Sequence, residues 1–223
     1  MSLKQKIIAL LEEKDYASVK ELSKAEPAVI RHLISLTYDR KTALCWRAIE
    51  AIGVVSSSMG AEEARRLSQR VLWMMRDESG GNPWSAPDIL GEIVRAHPDA
   101  LSDIAPIIAS FHDEEIFRQG ALRALGRIAE IRLSLVAPFR DMIAGYLNHP
   151  DAGVRGCAVY ALGRAFKPLS VGGGEILKEI LKDEAALYFY MDGELKRTTV
   201  AALAREALER TPSQSGDSAR PEA

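Results

Sequence analysis

Apolar residues recur along this chain with a period near 3.6, and the spacing predicts one helix after another. Five short stretches repeat a single pattern: Trp46 to Gly53, Trp84 to Gly91, Gln119 to Gly126, Gly156 to Gly163 and, more weakly, Arg197 to Ala204. Small or apolar residues hold the third, sixth and seventh places of each: Ala48/Ala51/Ile52, Ala86/Ile89/Leu90, Ala121/Ala124/Leu125, Ala158/Ala161/Leu162 and Thr199/Ala202/Leu203. Glycine closes the first four. The closing residues are 38, 35, 37 and 41 positions apart, a period that signals stacked helical units, each packed on its neighbours.

A second helical segment precedes each stretch, so the unit is a helical hairpin. Ala28 to Thr37 pairs with Ala43 to Val55, and Ala61 to Arg76 precedes the Trp84 stretch. Asp99 to Phe111 pairs with Glu115 to Ala129, Leu135 to Asn148 precedes the Gly156 stretch, and Glu175 to Lys182 pairs with Glu194 to Glu209. Leu3 to Glu13 and Tyr16 to Lys24 lack the motif and read as an N-terminal cap. The expected organisation is one repeat domain over residues 1–210, with 1–26 as the cap and 166–210 as a lengthened last repeat. Residues 211–223, rich in Ser, Pro and charge, are expected to form a disordered tail.

Turn chemistry agrees with this reading. His97-Pro98-Asp99 and His149-Pro150-Asp151 each stop a helix at proline and offer aspartate as the next N-cap. His32, His97, His112 and His149 never cluster at metal-ligand spacing, so no metal and no cofactor is expected. Gly172-Gly173-Gly174 follows no strand and has no lysine, so it is not a phosphate loop.

Composition adds exclusions. Charged residues make up 27% and the net charge is −2, which disfavours nucleic acid as a partner and gives no reason to expect an anionic membrane. The N-terminal amphipathic segment is too short and too charged to be a signal peptide or a span, so a cytoplasmic location is expected. Cys45 and Cys157 are expected to be buried free thiols.

Asp151-Ala152-Gly153-Val154-Arg155, running on to Ala158, Ala161, Leu162 and Gly163, resembles the HEAT-like repeat of the type named for phycobilisome lyases. Asp113 to Gly126 resembles it with one extra residue before Arg118, whereas Cys45 and Pro83 stand where the motif arginine would be. The resemblance implies an all-α fold: a right-handed α-α superhelix of about five helical hairpins, with the motif helices lining its concave face. It implies little chemistry, because such repeats serve scaffolds, lyases and repair enzymes alike.

On that face the first and fifth places of each stretch point away from the packed stripe. They present Trp46, Trp84, Gln119, Gly156 and Arg197, and Glu50, Asp88, Arg123, Tyr160 and Ala201; one turn further lie Val54, Glu92, Arg127 and Arg164. The candidate binding set is Trp46, Glu50, Trp84, Asp88, Arg123, Arg127, Tyr160 and Arg164. Indole faces attract cations and arginines hold carboxylates or phosphates, so a protein or peptide of mixed charge fits. The other reading is structural: aromatics fill the space between repeats, and Asp88 with Arg123, or Glu92 with Arg127, pair across them.

A third reading is enzymatic. Asn82-Pro83-Trp84-Ser85-Ala86-Pro87-Asp88 is faintly similar to a segment of HEAT-like alkylpurine DNA glycosylases, a resemblance that implies a charge-stabilising role for Asp88, with Trp84 and Trp46 on the base and Arg118 or Arg123 on phosphate. Two further segments stay open. Arg65, Arg66, Arg70 and Arg76 with Trp73 form either a solvated outer face or a nucleic-acid patch, and Tyr188-Phe189-Tyr190-Met191 either covers the end of the last repeat or meets a partner. The chain therefore reads first as a non-enzymatic protein- or peptide-binding scaffold. The alternatives are a glycosylase acting on alkylated bases and an accessory subunit of a larger enzyme.

Overall fold

The computed structural model of the chain describes residues 1–76, 84–165 and 178–209. The expectations for the glycine run at 172–174, for Pro83 and for the 211–223 tail concern residues outside that set. Helices α1 (Leu3–Glu12) and α2 (Tyr16–Ala25) form the N-terminal pair, followed by α3 (Ala28–Ser35), α4 (Ala43–Ser56), α5 (Ala61–Arg76), α6 (Ala86–Ala96), α7 (Ile104–Ser110), α8 (Glu115–Ala129), α9 (Arg140–Gly145) and α10 (Ala152–Ala165). Strands β1 (Ala186–Met191) and β2 (Glu194–Thr199) then precede α11 (Val200–Glu209). No described helix is long and apolar enough to cross a membrane.

Local chemistry sets the helix starts. Ser2 accepts from the Gln5 backbone N–H while the Gln5 side chain returns to the Ser2 N–H, a capping box. Asp15 and Thr42 cap α2 and α4 without the reciprocal bond, accepting from the backbone N–H of Ser18 and Cys45, and Pro87 falls in the first turn of α6, where a missing N–H costs nothing. The two motif arginines do matching work one repeat apart. Arg118 donates to the carbonyls of His112 and Asp113, and Arg155 to those of His149 and Pro150. Each thereby satisfies backbone acceptors left over where the preceding helix ends.

The motif helices α4, α6, α8, α10 and α11 pack in succession as one layer, with α5 and α7 behind it. Buried apolar side chains form one continuous cluster from Ile7 to Ala204. The closing glycines explain how near the helices come. A Cβ on Gly91 would lie 2.6 Å from Ala124 Cβ and 2.9 Å from Ala124 Cα, and one on Gly126 would lie 3.0 Å from Ala161 Cα. Backbone stands there, so no rotamer change makes room.

Three segments depart from expectation. The helix expected over 194–209 begins only at Val200, because Glu194–Thr199 pairs antiparallel with Ala186–Met191. Asp192 and Gly193 link the strands with φ of 53° and 77°, the left-handed pair of a two-residue hairpin turn. Leu135 to Asn148 is a broken run of 3-10 turns around α9. Asp99 does not cap α7, which starts at Ile104; its carboxylate pairs instead with Arg132 at 2.8 Å. Asp151 does act as expected, accepting from the Val154 N–H at 2.9 Å.

Two outcomes test this packing. Gly91→Ala should lower unfolding free energy in urea by about 1–3 kcal/mol, although alanine is the better helix former; an unchanged or raised midpoint would show that the repeats do not meet there. Asp183 accepts from Arg155 Nε at 2.6 Å, and this hydrogen bond holds its pKa below the ordinary carboxylate value. A depressed pKa stabilises above the unfolded value near 4 and loses that contribution as pH falls through the folded value. Asp183→Asn should therefore cost about 1–3 kcal/mol at pH 7 and progressively less below pH 4, measured as denaturation midpoint against pH.

Candidate functional site

The first and fifth places of α4, α8 and α10, with Asp88 at the fifth place of α6, share one face of the motif-helix layer, and close packing brings their charges and those one turn further on into contact. Asp88 accepts from Arg40 Nη1 at 2.6 Å and faces Arg123 Nη1 at 3.4 Å. Glu92 accepts from Arg127 Nε at 2.6 Å. Arg127 Nη1 also reaches Glu130 at 2.8 Å, and Glu130 further takes Arg164 Nη1 at 3.2 Å and the Tyr160 hydroxyl at 3.1 Å. Burial opposes the charge on Arg127, but Glu92, Tyr160 and Glu130 around it together more than offset this and raise its pKa. Opposite charges thus alternate along the stack in a buried ladder.

The hairpin covers this face. Tyr190 stacks on Trp46 at 5.7 Å with the rings 13° from parallel, and its hydroxyl donates to Glu50 Oε2 at 2.6 Å. Tyr16 of α2 donates to the same oxygen at 2.8 Å. Burial, followed by the Glu50 charge, pushes both phenol pKa values up. Arg47 Nε donates to the Gly193 carbonyl at 3.0 Å, and Lys14 pairs with Glu194. At the other end Phe189 packs on Tyr160 at 5.2 Å, and a Cβ on Gly156 would collide with Leu187.

These contacts show that the layer is curved. Leu187 and Tyr190 are three residues apart, roughly 10 Å along a strand, yet one rests on α10 and the other on α4. Four helices side by side in a flat layer would separate α4 from α10 by about 24–30 Å. The hairpin therefore lies inside the bend, reaching from the fourth repeat to the first.

Trp46 is central to the covered face. Its indole N–H donates to the Arg40 carbonyl at 3.0 Å, and the guanidinium carbons of Arg40 and Arg123 lie 4.4 and 4.6 Å from its ring centroid. The chain's own arginines already occupy the positions where an indole would attract a cation. Arg123 is 4% exposed, its Nη2 reaches the Tyr190 carbonyl only at 3.5 Å, and its Nε has no hydrogen-bond partner among the described residues.

Beside this cluster a cavity of about 500 Å³ opens between hairpin and curved face. Arg40, Lys41 and Arg123 supply its positive charge, and Trp46, Leu187 and Phe189 much of its apolar lining. Cys157 also lines it, and burial pushes that thiol's pKa up to about 12, so it stays neutral. Among the described residues no group of three metal-ligating side chains converges. The basic stretch of α5 lies elsewhere: Arg65 pairs with Asp103 at 2.8 Å, and Arg66 and Arg70 line a separate cavity of about 570 Å³ beside Met59.

The eight candidate residues are thus brought together, with a correction. The binding reading has them face outward on an open groove, yet Trp46, Asp88, Arg123 and Tyr160 are buried, and Glu50, Arg127 and Arg164 partly so, and the pairs named in the structural reading, Asp88 with Arg123 and Glu92 with Arg127, are formed. Ion pairing between repeats and the hairpin's return account for this. Only Trp84 is exposed, at 47%, with its carbonyl accepting from Arg40 Nη1 at 3.2 Å. The aromatic run 188–191 does not merely cover the end of the last repeat; it crosses the curved face. Arg40, Lys41 and Leu187 were missed. The hairpin had a signal, Asp192-Gly193 directly after the apolar run 186–191, whereas Arg40 and Lys41 sit in an inter-helix loop with no motif to mark them.

If Tyr190 fastens the hairpin, Tyr190→Ala should cost about 3–5 kcal/mol of stability and accelerate amide exchange in β1 and β2 more than in α8. Equal protection of the strands in both proteins would show that the Trp46 stack does not hold them.

Residues 116–165, spanning α8 to α10, match a family model described as a HEAT-like repeat. An uncharacterised protein of Archaeoglobus fulgidus is 28% identical over 179 residues, which is 79% of this chain and 94% of that protein. The crystal structure of an engineered protein aligns over 94% of this chain and 96% of its own, with a TM-score of 0.48 and 17% identity. Together with the succession of packed helical pairs, the match identifies the chain as a mostly helical solenoid that carries a HEAT-like repeat over residues 116–165.

Proposed function

We propose that this protein is a non-enzymatic binding scaffold that takes a protein or peptide segment at the mouth between its curved face and its own hairpin. The observation that carries this reading is the cavity there, left open where the rest of the face is closed. Tyr188, 71% exposed, stands at its edge, Trp84 is held beside Arg40, and Lys41 has no acidic partner among the described residues. Exposed aromatics near an unpaired lysine suit a polypeptide surface. Two buried free thiols fit a reducing compartment, and we place the protein in the cytoplasm.

The acids of the curved face offer little support for catalysis. Asp88 is 1% exposed and held by two guanidiniums, whereas a carboxylate that stabilises a developing sugar cation must reach it. Charge of both signs along the ladder also suits a duplex poorly.

A solution-phase peptide library passed over the wild-type chain and over Lys41→Glu/Tyr188→Ala tests the reading, because both side chains are exposed and leave the ladder intact. Peptides retained by the wild type should bind the variant at least about tenfold more weakly. Equal retention, or release of base from alkylated duplex by the wild type, would overturn it.

A further inference from the structure

The cavity has a ligand chemistry of its own. We propose that it selects a carboxylate attached to a flat apolar body, the form presented by an aromatic residue at the free C-terminus of a peptide; this rests on reading the chain as a peptide-binding scaffold. Three observations carry it.

The first is charge. Arg40, Lys41 and Arg123 line the cavity, and among the described residues no acid does. The carboxylates nearby stand behind the wall: Asp88 behind Arg40 and Arg123, Asp39 accepting from the Lys41 backbone N–H and Asp151 from the Gln119 amide, so the charged groups of the lining itself are all cations. Lys41 points its ammonium at no carboxylate of the described residues. An anion entering here meets attraction strengthened by the low-dielectric walls.

The second is the condition of Arg123. Its side chain is buried, but its two hydrogen bonds, to Asp88 at 3.4 Å and to the Tyr190 carbonyl at 3.5 Å, are at the long limit, and Nε has none. A buried guanidinium ordinarily fills its donors, since each left unmet costs free energy. This one is held by ring faces instead, 4.6 Å from the Trp46 centroid and 5.6 Å from that of Tyr190. A planar anion can complete it: a carboxylate takes the guanidinium fork edge-on in the same plane.

The third is the lining. Trp46, Leu187 and Phe189 give an apolar wall, and the neutral Cys157 thiol adds no repulsion. At about 500 Å³ the cavity lies within the range of roughly 300–1,000 Å³ of small-ligand sites. That suits a terminal aromatic residue with its carboxylate, while exposed Tyr188 at the rim remains for the residues that precede it.

Calorimetry on the full chain tests this with four probes: N-acetyl-phenylalanine, its amide, the tetrapeptide Ala-Ala-Ala-Phe with a free C-terminus, and the amidated tetrapeptide. Both acids should bind, each at least tenfold more tightly than its amide. The tetrapeptide acid should exceed N-acetyl-phenylalanine, and Lys41→Glu should weaken both acids tenfold with an unchanged circular dichroism spectrum and melting curve. Equal affinity of acid and amide, binding of neither acid, affinity unchanged in Lys41→Glu, or full competition by inorganic phosphate would overturn the proposal. Binding of N-acetyl-phenylalanine alone would mean a free aromatic acid as the ligand, defeating the peptide terminus and the scaffold reading together. Library peptides that depend on Tyr188 but bind equally well when amidated would defeat this inference and leave the scaffold standing.

Discussion

Successive motif helices lie so close that the residue between them must be glycine. With Gly91 against Ala124 and Gly126 against Ala161, the backbones nearly touch, and the side chains three places before and one place after each glycine are carried into range of the next repeat. The ion pairs of the curved face follow from that approach. At wider spacing Asp88 would not reach Arg123, nor Glu92 Arg127, and the carboxylates would face water.

Once formed, the ladder shapes what can cover it. Buried charges stripped of solvent are costly unless partners replace the water, and here the replacement is nearly complete: Glu92, Glu130 and Asp88 each have an arginine, and Glu50 takes two phenols, one from α2 and one from the hairpin. Tyr190 contributes an apolar ring to Trp46 and a donor to Glu50 at once. The hairpin therefore closes over the charges without leaving Glu50 unpaired. Arg95 and Arg123 each bury an Nε without a hydrogen bond among the described residues, and of the two Arg123 lies where hairpin and helices part to form the cavity. In the proposed function, the place where the self-complementarity of the chain runs out is the place offered to a partner.

The helices and their stacking were legible because both rest on short-range rules. Bounds such as Ala61–Arg76 and Glu115–Ala129 follow from apolar period and breakers within a dozen residues, and the recurrence of Ala, Leu and Gly near every 37 positions follows from each repeat meeting its neighbours alike. Broken helices at 133–148 were less legible, since a single turn survives there on packing and not on propensity. The strands at 186–199 were misjudged in part: Arg197 to Ala204 carries a faint copy of the motif, and the Asp192-Gly193 turn outweighs it.

Sequence alone thus determined the repeat, its register and which residue types would share the inner face, because periodicity projects directly onto a helix surface. Tertiary structure decided whether that face is open. The partners that close it, Trp46 with Tyr190 and Arg40 with Asp88, stand 144 and 48 positions apart, and no local pattern encodes a contact between one end of a curved stack and the other. The cavity belongs to the same class of fact: Arg40, Lys41 and Arg123 become one site only when the layer bends and the hairpin returns across it.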